Sequence, residues 1–272
     1  MAGRGESSEF VEALARGLDV LTAFSDIHPS MTLSGVAAAT GLARPTARRL
    51  LLTLVELGFV RQSGSSFELT PRVLDLGYAH LSSLGLWDAA RPRMEDLVRQ
   101  TNESSSMTEL DGSDIVYVAR VAVPKLIALR VEIGTRFPAV VTSQGKVLLA
   151  ALSDEELKRR LDLPTRSAVQ IKGPDRDALR QELASVRAQG WALADEELAP
   201  GVRSVAAPVR DRDGVVRAAL NVTVHAAETS VDDLIATHLP VLLSTASAVS
   251  GDWARIQASP SLSTAQLAPS AV

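Results

Sequence analysis

The chain of 272 residues contains no cysteine, which excludes disulfides, thiolate metal sites and cysteine nucleophiles. Histidine is scarce, and His28, His80, His225 and His238 are scattered without metal-ligand spacing, so no metal and no cofactor are expected. Glycine-rich phosphate loops of the GxGxxG or Walker kind are missing, and no Gly-x-Ser-x-Gly elbow surrounds any serine. No run of 18 apolar residues occurs, and MAGRGESSEF lacks an apolar core of leader length. A cytoplasmic protein with no membrane partner is therefore expected. Strong charge of one sign is lacking too: 28 Lys+Arg against 32 Asp+Glu leave a net charge of −4. Any nucleic-acid contact must then come from a local patch.

What is present suits a globular protein of two domains, with 46% hydrophobic and 22% charged residues. Residues 1–8 are small and polar and are expected to be disordered. From Phe10 to Phe24, Val11, Leu14, Leu18 and Leu21, with Val20 and Phe24 one register over, form a helical stripe. Thr32 can cap a second helix, LSGVAAATG, which Gly41 ends. ARPTARRLLLTLVELGFV follows, and then two β-prone runs, Phe59 to Arg61 and Phe67 to Thr70, around the turn SGSS. Helix, helix, turn, helix and hairpin over residues 9–70 is the order of a winged helix-turn-helix. TPRVLDLGYAHLSSLGL restarts a helix with Thr70 as cap and Pro71 in the first turn, giving a linker helix at 71–86.

Beyond it, residues 87–253 mix helices with strand-like runs SSMTEL, DIVYVARV, LIALRVEI, SVAAPVRD and VVRAALNVTVH. The turns DGSD and DRDG mark hairpins, so an α/β domain with a largely antiparallel sheet is predicted. Thr142 or Ser143 opens the helix TSQGKVLLAAL, and Ser153 with Glu156 forms a capping box. Residues 254–272 are a low-complexity tail expected to be disordered.

The basic helix is the first functional signal. Ala47, Leu50, Leu51, Leu54 and Leu57 recur at core spacing and leave Arg44, Thr46, Arg48, Arg49 and Thr53 outside, with Pro45 in the first turn. Acidic residues are absent from Thr46 to Val55. A recognition helix presents its N-terminal residues to base edges, and arginine's planar fork suits guanine or phosphate. Arg61, Ser63 and Ser65 would form a wing lying along the backbone of double-stranded DNA. An ordinary solvated basic face is the alternative that arginines alone would leave open.

ALARGLDVLTAF, LSGVAAATGLARPTARRLLLTLVELGFV and LTPRVLDLGYAHLSSL together resemble the N-terminal domain of IclR-family transcriptional regulators. NESSSMTELDGSDIVYVARV and GTRFPAVVTSQGKVLLAAL resemble the branch controlling aromatic-acid catabolism through the β-ketoadipate pathway, the protocatechuate and p-hydroxybenzoate regulators. The resemblance implies an α+β protein whose winged helix-turn-helix is joined by a linker helix to a GAF-like effector-binding domain. It also implies a homodimer or dimer of dimers on a pseudo-palindromic operator. By motif position, Ser143, Gln144 and Gly145, the segment with Asp195, Glu196, Val202 and Ser204, and the strand with Asn221 and Thr223 would line a pocket for a small organic acid. On that strand Asn221 and Thr223 are two apart and share one face. Arg120 and Arg136 are possible partners for an anion, as are the first-turn N–H groups of TSQGKVLLAAL. Gln144 stands where many family members carry an apolar residue, which implies a more polar ligand. An enzyme acting on an aromatic acid and a ligand-independent DNA-binding protein are the alternatives; no catalytic residue constellation supports the first.

Overall fold

A computed structural model describes residues 8–25, 27–77, 85–124, 131–169, 171 and 174–258. The chain divides into two compact units, residues 1–80 and 81–272.

In the first unit, helix α1 (Glu12–Thr22) is followed by a short strand β1 (Ser30–Thr32), α2 (Leu33–Thr40) and α3 (Arg44–Glu56), then β2 (Val60–Ser63) and β3 (Ser66–Leu69). Local chemistry sets the boundaries. Thr32 Oγ1 accepts from Gly35 N at 3.2 Å to open α2, and Gly41 takes the left-handed conformation (φ 68°) that ends it. The core joins Val20 of α1, Phe24 just beyond its end, Val36 of α2, Leu51 and Leu54 of α3, and Val60 and Phe67 of the hairpin. β1 was not predicted. It pairs with β3 (Met31 opposite Phe67) and makes the wing a three-stranded sheet, order β1-β3-β2. The expected stripe on α1 is only half buried: Val11, Leu14 and Leu18 are exposed, because α1 meets the core through its C-terminal half. Leu57, also expected inside, caps the end of α3 and is exposed. Arg72 N donates to Thr70 Oγ1 as the expected cap requires, and residues 73–77 are helical. The rest of the expected linker helix, 78–84, lies outside the described residues.

The second unit contains α4 (Leu86–Thr101), β4 (Ser104–Asp111), β5 (Asp114–Val121), β6 (Arg136–Pro138), a 3-10 turn (Ala139–Val141), α5 (Ser143–Ala150), α6 (Asp154–Leu161), α7 (Arg176–Gln189), β7 (Ala192–Asp195), β8 (Val202–Arg210), β9 (Val216–His225) and a long helix, α8 (Val231–Ala258), whose second turn at Leu234–His238 is π-helical. Among the described residues, six strands pair antiparallel in the order β6-β5-β4-β9-β8-β7. Helices cover both faces. Met94 and Leu97 of α4 and Leu242, Val249 and Trp253 of α8 pack on Met107, Leu220 and Val222. On the other face Leu149 of α5 and Leu183 of α7 meet Ile115, Ala206 and Ala219. Burial on both faces explains why β8 and β9 read as near-continuous apolar runs, as sheets covered twice do.

β6 and β7 were not predicted; each has three or four residues. Most of LIALRVEI lies outside the described residues, and its end at 131–133 is not a strand. α8 continues to Ala258, so residues 254–258, expected in the tail, are helical. By length and composition this helix could cross a membrane, but its apolar stripe is buried against the sheet. Of the segments expected to be disordered, 1–8 and 254–272, residues 1–7 and 259–272 lie outside the described residues, and Ser8 is an exposed turn residue.

Candidate functional site

Two places gather the expected residues. The first is the start of α3. Its N-cap, Ala43, makes no side-chain cap, Pro45 occupies the first turn, and no acidic residue stands there. The first-turn amides and the positive end of the helix dipole are thus left for an anion. Arg44, Pro45, Arg48, Arg49 and Thr53 are exposed and Thr46 half-buried, while Ala47 and Leu51 are fully buried. No ion pair among the described residues involves Arg44, Arg48 or Arg49. Thr53 Oγ1 bonds back to Arg49 O at 3.0 Å, so its hydroxyl is occupied within the helix. The wing differs. Ser63, Gly64 and Ser65 are exposed at a tight turn, with Gly64 at φ 60°. Arg61, however, donates to Glu68 Oε2 from Nε at 2.9 Å and Nη2 at 2.6 Å. That hydrogen bond and charge hold the Glu68 carboxyl below its usual range. Arg61 already has its counter-ion.

The second place is a cavity over the sheet face that carries α5. Its walls include Tyr117 and Arg120 of β5, Phe137 of β6, Gln144 of α5, Val202 and Ser204 of β8, and Asn221 and Thr223 of β9. It encloses about 510 Å³ of atom-free space including its mouth, but leaves only about 30 Å³ for the centre of a water molecule. Strand register puts the polar wall together: Ser106 lies opposite Arg120 on one side and Asn221 on the other. Ser106 N donates to Asn221 Oδ1 (2.8 Å), Arg120 Nη1 donates to Ser106 Oγ (2.9 Å), and Gln144 Nε2 donates to Ser106 O (3.1 Å). Asn221 Nδ2 donates in turn to Thr223 Oγ1 at 2.8 Å. Burial lowers the pKa of Arg120, opposed by the Tyr117 hydroxyl, and no carboxylate among the described residues pairs with it. A cation desolvated without a counter-ion is a place for an anion. Burial likewise pushes the Tyr117 hydroxyl up to about 12, so it remains a neutral donor at physiological pH.

Six of the expected pocket residues, Arg120, Gln144, Val202, Ser204, Asn221 and Thr223, therefore meet around one cavity. Two others stand behind its wall. Ser143 Oγ is 2.8 Å from Ser204 Oγ, and Gly145 lies against the 3-10 turn, where an added Cβ would be 2.0 Å from Ala139 O. The remaining three belong elsewhere, a correction to the sequence reading. Asp195 ends β7 and pairs with Arg203 at 2.6 Å. Glu196 accepts from Gly201 N at 2.7 Å within its own loop. Arg136 pairs with Asp111 near the β4–β5 turn, holding that carboxyl below its usual range. The α5 amides are also less free than expected, since Gly145 N donates to Thr142 Oγ1 at 3.2 Å. Sequence reasoning missed Ser106, Tyr117 and Phe137. Nothing in NESSSMTEL marks one serine among three; only the pairing of β4 with β5 and β9 does.

Comparison with known proteins bears on both units of the chain. Residues 13–64 match the IclR helix-turn-helix domain and residues 78–251 the bacterial transcriptional regulator IclR C-terminal domain. The chain is 39% identical over 239 residues to the Pca regulon regulatory protein of Pseudomonas putida, covering 86% of this chain and 81% of that one. It is 34% identical over 248 residues to the p-hydroxybenzoate hydroxylase transcriptional activator of Acinetobacter baylyi, covering 88% and 91%. Among solved structures, a transcriptional regulator of Rhodococcus sp. RHA1 is similar at 47% identity with a TM-score of 0.78, over 91% of this chain and 100% of that one. Both family matches and the identity to curated regulators make this chain a member of the IclR family of DNA-binding transcriptional regulators.

Proposed function

We propose that this regulator binds a small aromatic monocarboxylic acid in the cavity and thereby changes its hold on a pseudo-palindromic operator beside catabolic genes. The observation that carries the ligand class is Arg120: it is the one cation among the described cavity residues, it has no carboxylate partner, and apolar Phe137, Val141 and Leu198 surround the remaining space. One cation fits one carboxylate, with the Tyr117 hydroxyl, Asn221 and Thr223 available to a ligand hydroxyl. The names of the curated relatives, tied to the Pca regulon and to p-hydroxybenzoate hydroxylase, support the same class. Replacing Asn221 with Leu and Thr223 with Val should remove the response to 4-hydroxybenzoate or protocatechuate in an operator reporter while operator affinity without ligand is kept. An unchanged response in the double variant would mean that the ligand binds elsewhere.

On DNA, Arg44, Pro45, Thr46, Arg48, Arg49 and Thr53 are the proposed groove contacts, with Ser63 and Ser65 of the wing on the phosphates and Arg61 in reserve. A homodimer, or a dimer of such dimers, is proposed to bring two such helices to half-sites about 34 Å apart. The exposed apolar residues Val11 at the start of α1 and Leu14 and Leu18 on it, with Leu74 and Leu76, support a second copy as the partner. Sedimentation of a Leu14→Glu, Leu18→Glu variant tests this: a species of unchanged mass would place the dimer contact on another face. The work is proposed to be cytoplasmic, without a membrane partner. Residues 71–86 are proposed to connect the DNA-binding residues 9–70 to the effector-binding residues 87–253.

A further inference from the structure

Lys146 stands in the first turn of α5 with 1% of its side chain exposed, and its ammonium is shared by two carboxylates. Nζ lies 2.5 and 2.7 Å from the two oxygens of Glu197, 2.6 Å from Glu182 Oε1 of α7, and 3.3 Å from Leu193 O of β7. Three donors thus have partners on three different elements. A buried ammonium needs at least one such partner at all times, because an unpaired charge in that environment is strongly disfavoured.

Glu197 belongs to the loop 196–201 between β7 and β8. The next residue, Leu198, forms part of the cavity wall, as does Val202 at the loop's end. The base of the loop is closed on itself: Glu196 N donates to Val202 O at 2.9 Å and Gly201 N to Glu196 Oε2 at 2.7 Å. Glu196 sits at φ 57°, a sparsely populated conformation for a residue with a side chain. Among the described residues, the polar contact from 197–200 to other elements is the Glu197–Lys146 pair.

The cavity leaves too little room for an aromatic ring, so a wall must move for one to enter. The strands are held by their ladder, and the start of α5 is pressed against Ala139 without space for a methyl group. Within the described wall, Val131 and the loop bearing Leu198 are free of both constraints, and of the two the loop carries the buried ion pair.

We propose that Lys146 is a positioning residue that latches this loop shut over the cavity through Glu197, while Glu182 keeps the ammonium paired when the loop lifts. Opening then gives up Glu197 but leaves the ammonium on Glu182, and so never strands the charge. This inference rests on the cavity being the effector site, and its signature is that the two glutamates act in opposite directions. Glu197→Gln loosens the latch; Glu182→Gln removes the fallback partner and makes opening harder.

Amide hydrogen exchange on the full-length protein reads the latch without any ligand. Exchange at 197–201 is expected to rise about tenfold in Glu197→Gln and to fall below wild type in Glu182→Gln, with the β9 amides unchanged in both. Stopped-flow binding of 4-hydroxybenzoate should follow, faster in and out for the first variant and slower for the second. If both variants loosen the loop, or neither changes it, the triad is a static support and the latch is wrong. Asn221→Leu separates the premise: if 4-hydroxybenzoate binding ignores it, the cavity reading fails whatever the exchange data say of the loop.

Discussion

Two helix starts in this protein meet negative charge in opposite ways. α3 begins at Ala43 without a side-chain cap, with exposed arginines and no acid in its first turn. α5 begins at Thr142 with its cap made, and every residue from Ser143 to Ala150 is buried. The exposed start leaves its first-turn amides without a side-chain cap and its arginines toward solvent, the arrangement proposed above to meet DNA. The buried start satisfies part of its own backbone and sets side chains, Gln144 above all, toward the cavity proposed to take the effector. The same helix chemistry is left open in one place and enclosed in the other, and the surrounding packing makes the difference.

The contrast can be broken at its tightest point first. Gly145→Ala would put a methyl group on the Ala139 carbonyl, which cannot swing aside as a flexible side chain could. A loss of about 4 kcal/mol or more is expected, read as a collapse of the thermal unfolding transition; a near-normal transition would show that the α5 start is not rigidly seated. Leu51→Ala, on the fully buried face of α3, should destabilise by about 3 kcal/mol, while Leu57→Ala should stay within about 0.5 kcal/mol because its side chain is exposed. Equal effects in chemical denaturation would contradict that division of the helix.

Tyr117 sharpens the buried side. Its hydroxyl is pushed up to about 12 by burial, so the folded state keeps this proton where the unfolded chain has lost it. Stability therefore holds below about pH 10 and falls between about pH 10 and 12, by roughly 2–3 kcal/mol from this group. Tyr117→Phe should flatten that fall in denaturation curves taken across the interval. On the exposed side, Arg48→Ala or Arg49→Ala should weaken operator binding by about 1–3 kcal/mol and lower the salt slope if a phosphate contact is lost. Arg61→Ala should matter least, within about 1 kcal/mol, because Glu68 already neutralises that side chain. Fluorescence anisotropy with labelled operator ranks the three, and a larger effect at Arg61 than at Arg48 and Arg49 would reverse the assignment of groove and wing.

Much of the fold was legible where the rules are local. Thr32, Gly41, Ser153 and Gly190 mark helix ends because capping depends on a few neighbouring residues, and each occupies the expected position. β1, β6 and β7 were not legible. Strands of three or four residues carry almost no period of their own and form because a distant partner offers its edge, as β3 does to Met31. Asn221 and Thr223 were readable as a pair by the two-residue alternation of a strand. That Ser106 and Arg120 stand beside them was not, since those contacts cross between strands far apart in the chain. Asp195 and Arg136 looked like pocket charges in sequence, but each had a nearer counter-ion in space, Arg203 and Asp111.

By itself, then, the sequence determined the order of elements, the basic start of α3 and the α+β plan of two domains, because periodicity, caps and charge sorting act over a few residues. Only the tertiary structure decided which charges stay open. Among the described residues, Arg48 and Arg49 have no ion pair while Arg61 does, Arg120 faces a cavity without a carboxylate, and Lys146 is buried between two. Whether a charge is compensated depends on what folding brings within about 4 Å of it, and no spacing along the chain encodes that distance.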